Sequence, residues 1–154
     1  MVALFIYLLS VVCWLGAMVF FIPVTQTAFT TLPKAAAGKY LAGLFPLYYL
    51  LGYICGSIAV ALAIYLCAIR APRLWWGVAA IALAIALGLT AYAGTIVRPR
   101  VDAIRSVTEE ANPDPARRAE FDRLHRLSVT LNGGVMLLNL GALLSTAAAL
   151  TARG

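Results

Sequence analysis

The sequence predicts an all-α integral membrane protein: one domain over residues 1–154, folded as an antiparallel bundle of four transmembrane helices. Three observations predict it. Hydrophobic residues make up 63% of the 154 positions and charged ones 12%, with a mean hydropathy of +0.92, well outside soluble-domain composition. Four uncharged runs, residues 1–33, 40–69, 74–97 and 127–152, each exceed the roughly 20 residues that a spanning helix needs. All charged residues lie between or after these runs, as a hydrocarbon slab requires.

The first run predicts a span over about residues 2–24. No basic region precedes it and no small-residue cleavage site follows a short apolar core, so it reads as a retained span and not a signal peptide. Pro23, followed by Thr25, Gln26, Thr27, Thr30 and Thr31, predicts a bend or an exit from the hydrocarbon. Lys34 and Lys39 flank alanines, a glycine and Tyr40, which suits an interfacial helix over about residues 34–45. Pro46 then opens the second span, about residues 46–69, with Tyr48, Tyr49 and Tyr53 placed as an aromatic belt.

Arg70, Ala71, Pro72 and Arg73 make a tight link to the third span, about residues 74–97, anchored at the opposite interface by Trp75 and Trp76. Beyond Arg98-Pro99-Arg100, the apolar positions Val101, Ile104 and Val107 keep a helical period, and Arg105 can pair with Glu109. Asn112 and Pro113 break the helix. Asp114 before Pro115 reads as a cap and first helical residue, so the last helix starts about three turns ahead of its span, about residues 127–150, with Asp122 and Arg126 spaced to pair. Helices three and four should therefore extend beyond the membrane.

Charge in this chain speaks to topology. A formal charge of +6 on a soluble protein would raise nucleic acid as a partner; here the charges belong to loops, and none is expected. Lys34, Lys39, Arg98, Arg100, Arg105, Arg117, Arg118, Arg123 and Arg126 lie on one side, against Arg70, Arg73 and Arg153 on the other. The positive-inside rule makes the first side, with loops 1–2 and 3–4, cytoplasmic. The expectation is a multi-pass protein of the cell inner (plasma) membrane. Gly52 and Gly56, four apart, and Gly133 with Gly134 are the residues expected to give flat helix surface for packing.

The candidate site begins at the single histidine. Phe121, His125, Ser128, Asn132, Val135 and Asn139 are spaced four, three, four, three and four, so they form one stripe along a helix. Amides and imidazole facing lipid would go unsatisfied, so the stripe must face other helices, a cavity or a ligand. His125, Ser128, Asn132 and Asn139 are therefore the candidate binding residues. Arg98 and Arg100, ending the third span near the level of His125, join them as donors for an anionic group. The commoner role of such arginines is anchoring at the interface.

Other chemistries are constrained by the same residues. Cys13, Cys55 and Cys67 are odd in number and lie in spans, so no disulfide framework and no metal centre is expected. Soft-ion transfer through Cys13, Met18, Cys55 and Met136 stays open on ligand chemistry. A haem held by two histidines within one subunit is excluded, and no cofactor is expected; one axial ligand from His125 stays open as an alternative. No nucleophile with its base and no phosphate loop is present, so no enzyme is indicated.

Trp14-Leu-Gly16, Leu44-Phe-Pro-Leu-Tyr48-Tyr49, Arg98-Pro-Arg100, and Phe121-x-x-x-His125-x-x-Ser128 with Asn132 together resemble the transmembrane protein 205 family, whose bacterial members are catalogued as a domain of unknown function. The resemblance spans nearly the whole chain. It implies a four-helix membrane protein, and animal relatives are associated with resistance to platinum drugs through export or vesicular handling. More distantly the bundle is similar to families of copper resistance and protoporphyrinogen oxidation. The latter carry a first-helix histidine that this chain lacks, so haem ligation is not implied. The resulting expectation is transport of, or tolerance to, a small molecule or soft metal. The rival expectations are an accessory or structural subunit of a larger membrane complex, and a haem- or cofactor-binding redox protein. Expected partners are membrane lipids and a membrane complex or homo-oligomer.

Overall fold

The computed structural model describes residues 1–108 and 114–152. Four long helices, α1 (Val2–Thr31), α2 (Lys34–Ile69), α3 (Arg73–Ala103) and α4 (Pro115–Thr151), are each long and apolar enough to cross a membrane, and the chain is an all-α four-helix bundle. Short links force neighbours to run antiparallel: α1 packs on α2, α2 on α3 and α3 on α4. The expected Arg105–Glu109 pair, the break at Asn112-Pro113 and Arg153 lie outside the described residues.

Each helix end has a local cause. The chain turns extended at Leu32, ahead of Pro33, because a residue preceding proline is pushed out of the helical region. Arg70 is likewise extended, and α3 starts directly after Pro72. Asp114 caps α4 as its sequence indicates, accepting a hydrogen bond from the Ala116 N–H at 3.1 Å, with Pro115 at the first helical position.

Two prolines do less than the sequence suggests. Pro23 lies inside α1 and Pro46 inside α2, and both helices continue. The separate interfacial helix expected over residues 34–45 is instead the first part of one 36-residue helix. Packed neighbours and local side chains make such breaks tolerable in spanning helices.

The core explains why the helices can approach. Helix association in lipid is driven by packing more than by water exclusion, so small residues at contacts count most. Ala59, Ala63, Ala79, Ala86, Ala142 and Ala149 are fully buried. Gly52 and Gly56 lie against an indole: a Cβ on Gly56 would come within 3.0 Å of the Trp14 ring, and one on Gly52 within 3.2 Å of Trp14 Nε1. Gly133 differs from expectation. An added Cβ there meets nothing within 4 Å, and at Gly134 only ordinary contact with Leu89 of α3.

The end where α1 begins and α4 finishes is closed. Tyr7 and Trp76 meet edge to face at 5.9 Å, and both are fully buried. Trp76 is therefore core, and only Trp75 of the expected interfacial pair is exposed. The Tyr7 hydroxyl lies 2.8 Å from Thr146 Oγ1. Since the Thr146 hydroxyl proton is given to the Ala142 carbonyl, Tyr7 is the donor of that pair.

Candidate functional site: a charged cavity at the open end

At the opposite end, all four helices contribute to the lining of a cavity of about 380 Å³. Its position follows from how α3 finishes. Residues Ala93–Val97 form a π-helical turn, and Gly94 within it receives the tyrosines of α2: a Cβ there would overlap the Tyr53 hydroxyl and approach Tyr49 Cδ1 to 2.9 Å. A π turn adds one residue to the helical register and so re-aims everything after it. Arg98 follows directly and lines the cavity.

Three of the expected site residues, Arg98, His125 and Ser128, line this cavity together. His125 is exposed at its rim, with its ring parallel to Phe121 at 6.1 Å. Ser128 is half-buried deeper along α4, where the Tyr49 hydroxyl interacts with it and with Asn132. Asn132 lies behind the lining: Tyr48 donates to its Oδ1 at 3.0 Å, bridging α2 and α4 across the bundle. Asn139 is fully buried. Its Nδ2 donates to the Val135 carbonyl at 3.0 Å, and its Oδ1 has no partner among the described residues.

Arg100 departs from the expectation. It is exposed and does not line the cavity; two residues apart on a helix means about 200° of rotation, so Arg98 and Arg100 cannot serve one site. Arg100 instead lies near Glu120. The Glu120 carboxyl is held below the usual glutamate range by hydrogen bonds from Arg123, with the Arg123 and Arg100 charges adding to the effect. Asp122 likewise pairs with Arg118 at 3.5 Å. The expected partner Arg126 is exposed, whereas Arg118 and Asp122 share the cavity wall.

Several lining residues are not in the sequence-derived set. Asp102 accepts a hydrogen bond from Arg105 and forms an ion pair with Arg98 at 3.4 Å. The Arg98 contact is an ion pair without a formed hydrogen bond, since its buried Nε has no hydrogen-bond partner. Arg105 also donates to the Gly38 carbonyl at 3.0 Å, tying α3 to the first turns of α2. Lys34 joins from the start of α2, and Phe29, Leu41 and Phe45 supply apolar wall. One of these was within reach of the sequence: extending the α4 stripe back three residues from Phe121 gives Arg118.

A domain of unknown function (DUF4149) matches residues 9–110. The chain belongs to that family. The DUF4149 match contains Lys34, Tyr48, Tyr49, Gly94 and Arg98, and stops short of α4, so His125, Ser128, Asn132 and Asn139 lie outside it. The cavity is thus shared between the DUF4149 segment and the helix that follows. No curated protein and no solved structure matches the chain.

Chemically, the cavity combines the cations Lys34, Arg98, Arg105 and Arg118 and the carboxylates Asp102 and Asp122 with apolar wall and the hydroxyls of Tyr49 and Ser128. Among the described residues no group of three or more His, Cys, Asp or Glu side chains gathers to hold a metal ion. Cys55 is buried and interacts with Cys13, which is exposed.

Proposed function

We propose that this protein binds a small molecule in the cavity at the open end of the bundle, as a step in its transport or in tolerance to it. The convergence of Arg98, His125 and Ser128 on one cavity of about 380 Å³ supports this reading, because that volume falls in the range of small-molecule pockets. The resemblance to the transmembrane protein 205 family favours the same class. On this reading loops 1–2 and 3–4 face the cytoplasm, the protein resides in the inner membrane, and the ligand meets the cavity from that side. The Gly52–Gly56 face offers the accessory-subunit alternative no docking surface, since Trp14 fills it from within the chain.

The test is a tolerance and uptake panel in cells expressing wild-type protein, His125→Ala or Asn132→Ala. Both variants should reach the membrane at wild-type level and lose the flux or tolerance. Unchanged behaviour in both refutes the site. A Soret band in protein purified from haem-replete cells would replace this reading with the redox one.

A further inference from the structure

We propose that the ligand of this cavity is an amphipathic monoanion: a carboxylate or phosphate head carried on an apolar tail. The proposal rests on the cavity being the binding site, as argued above, and adds the chemistry of what it takes.

The head group is argued from charge. Lys34 lines the cavity and has no carboxylate within ion-pair distance among the described residues. It stands in the first turn of α2, whose N–H groups receive no side-chain cap; those free donors add positive potential at the same place. In the same lining Asp102 is shared between two arginines. Arg105 takes the closer bond and also holds the Gly38 carbonyl, which leaves Arg98 with a 3.4 Å ion pair and a buried Nε that makes no hydrogen bond. Arg118 has its own carboxylate in Asp122. One ammonium is thus unmatched and one guanidinium is under-matched, in the lining of one space. A single negative charge between them gains charge-assisted hydrogen bonds from both. A cation there would be repelled, and a neutral ligand would leave both groups as they are.

The tail is argued from the wall. Phe29, Leu41, Phe45 and Phe121 line the same cavity, and an inorganic anion would leave that surface facing water. An apolar chain covers it. The volume, near the lower end for small-molecule pockets, suits one chain and not a whole two-chain phospholipid. The acyl-bearing anion can still come from two sources, a free single-chain amphiphile or the end of a bilayer lipid.

The experiment uses the full chain in nanodiscs of zwitterionic lipid and measures saturable binding of radiolabelled dodecanoate by equilibrium dialysis. Dodecyl phosphate, dodecyltrimethylammonium, dodecanol and inorganic phosphate serve as competitors. The expected result is one site, displaced by dodecyl phosphate and by none of the other three. Lys34→Gln and Arg98→Gln should each weaken it about tenfold, the size of one charge-assisted hydrogen bond. Gly38→Phe should abolish it by filling the space that an added Cβ finds open. Unchanged melting of Lys34→Gln, an exposed position, separates lost binding from lost fold. Competition by phosphatidylglycerol built into the discs supports the same chemistry and identifies the bilayer as its source. Displacement by inorganic phosphate overturns the tail, and displacement by the cationic or neutral chain overturns the anion; in those cases loss on Gly38→Phe leaves the cavity reading standing. No saturable binding of any probe, with growth tolerance also unchanged in His125→Ala, overturns both.

Discussion

At the closed end of the bundle Tyr7, Ala63, Leu66, Trp76, Ala79 and Ala149 are fully buried, and helix meets helix through small or interlocking side chains. At the open end Lys34, Arg98, Arg118 and His125 surround about 380 Å³ of space, and α2 reaches α4 through the hydroxyls of Tyr48 and Tyr49. The same four helices therefore change purpose along their length. One end spends its residues on packing, the other holds polar and charged groups apart. Helices in lipid gain little from hiding apolar surface from one another, so the closed end must supply the stability that lets the open end stay open.

Breaking the closed end should give the largest effect. Trp76→Ala removes a fully buried ring from the Tyr7 contact and should cost about 3 kcal/mol in reversible unfolding from mixed micelles. Phe121→Ala, at the cavity wall, should cost much less; equal losses would erase the contrast between the ends. Next comes the seam where they meet. Gly94→Ala drives a methyl into Tyr49 and Tyr53 and should cost about 2 kcal/mol, with Arg98 shifted out of the cavity, visible as weakened ligand binding beyond the loss in stability.

The contrast was partly legible before any coordinates. Uncharged runs set the number of helices, and the Phe121 to Asn139 spacing set which face of α4 turns inward, because a period of 3.6 is a local property. What could not be read was which neighbour each group would meet. Arg98 and Arg100 looked alike in sequence, and only the π turn at Ala93–Val97 decides that Arg98 faces inward. Lys34 looked like an interfacial anchor, because its part in the cavity depends on α2 continuing through Pro46 and on Arg105 tying down Gly38. The Gly52–Gly56 pair signalled close packing, but nothing local reveals that an indole and not a backbone fills it.

Smaller effects sharpen the boundary. Tyr48→Phe removes the hydrogen bond to Asn132 and should cost about 0.6 kcal/mol, the average for interhelical hydrogen bonds in membranes. A double-mutant cycle with Asn132→Ala should recover that value as coupling. The smallest response belongs to the exposed Glu120–Arg123 pair. With the Glu120 carboxyl held below its ordinary range, the pair contributes above that range and its contribution fades as pH falls through the lowered value. Glu120→Gln should leave the melting temperature at pH 7 unchanged within error and slightly flatten its decline below about pH 4.

The buried alanines carry one more implication. Past Asn132 the α4 seam continues through Val135, Asn139, Ala142 and Ala149, all buried, while the cavity lining on that helix ends at Ser128. A ligand leaves by the mouth it used unless the helices part. On the proposed transport reading, crossing the bilayer would demand that the packed seam between α3 and α4 part in each cycle. A disulfide fastening α3 to α4 within this buried seam should then stop passage while leaving occupancy untouched, which separates a carrier from a receptor.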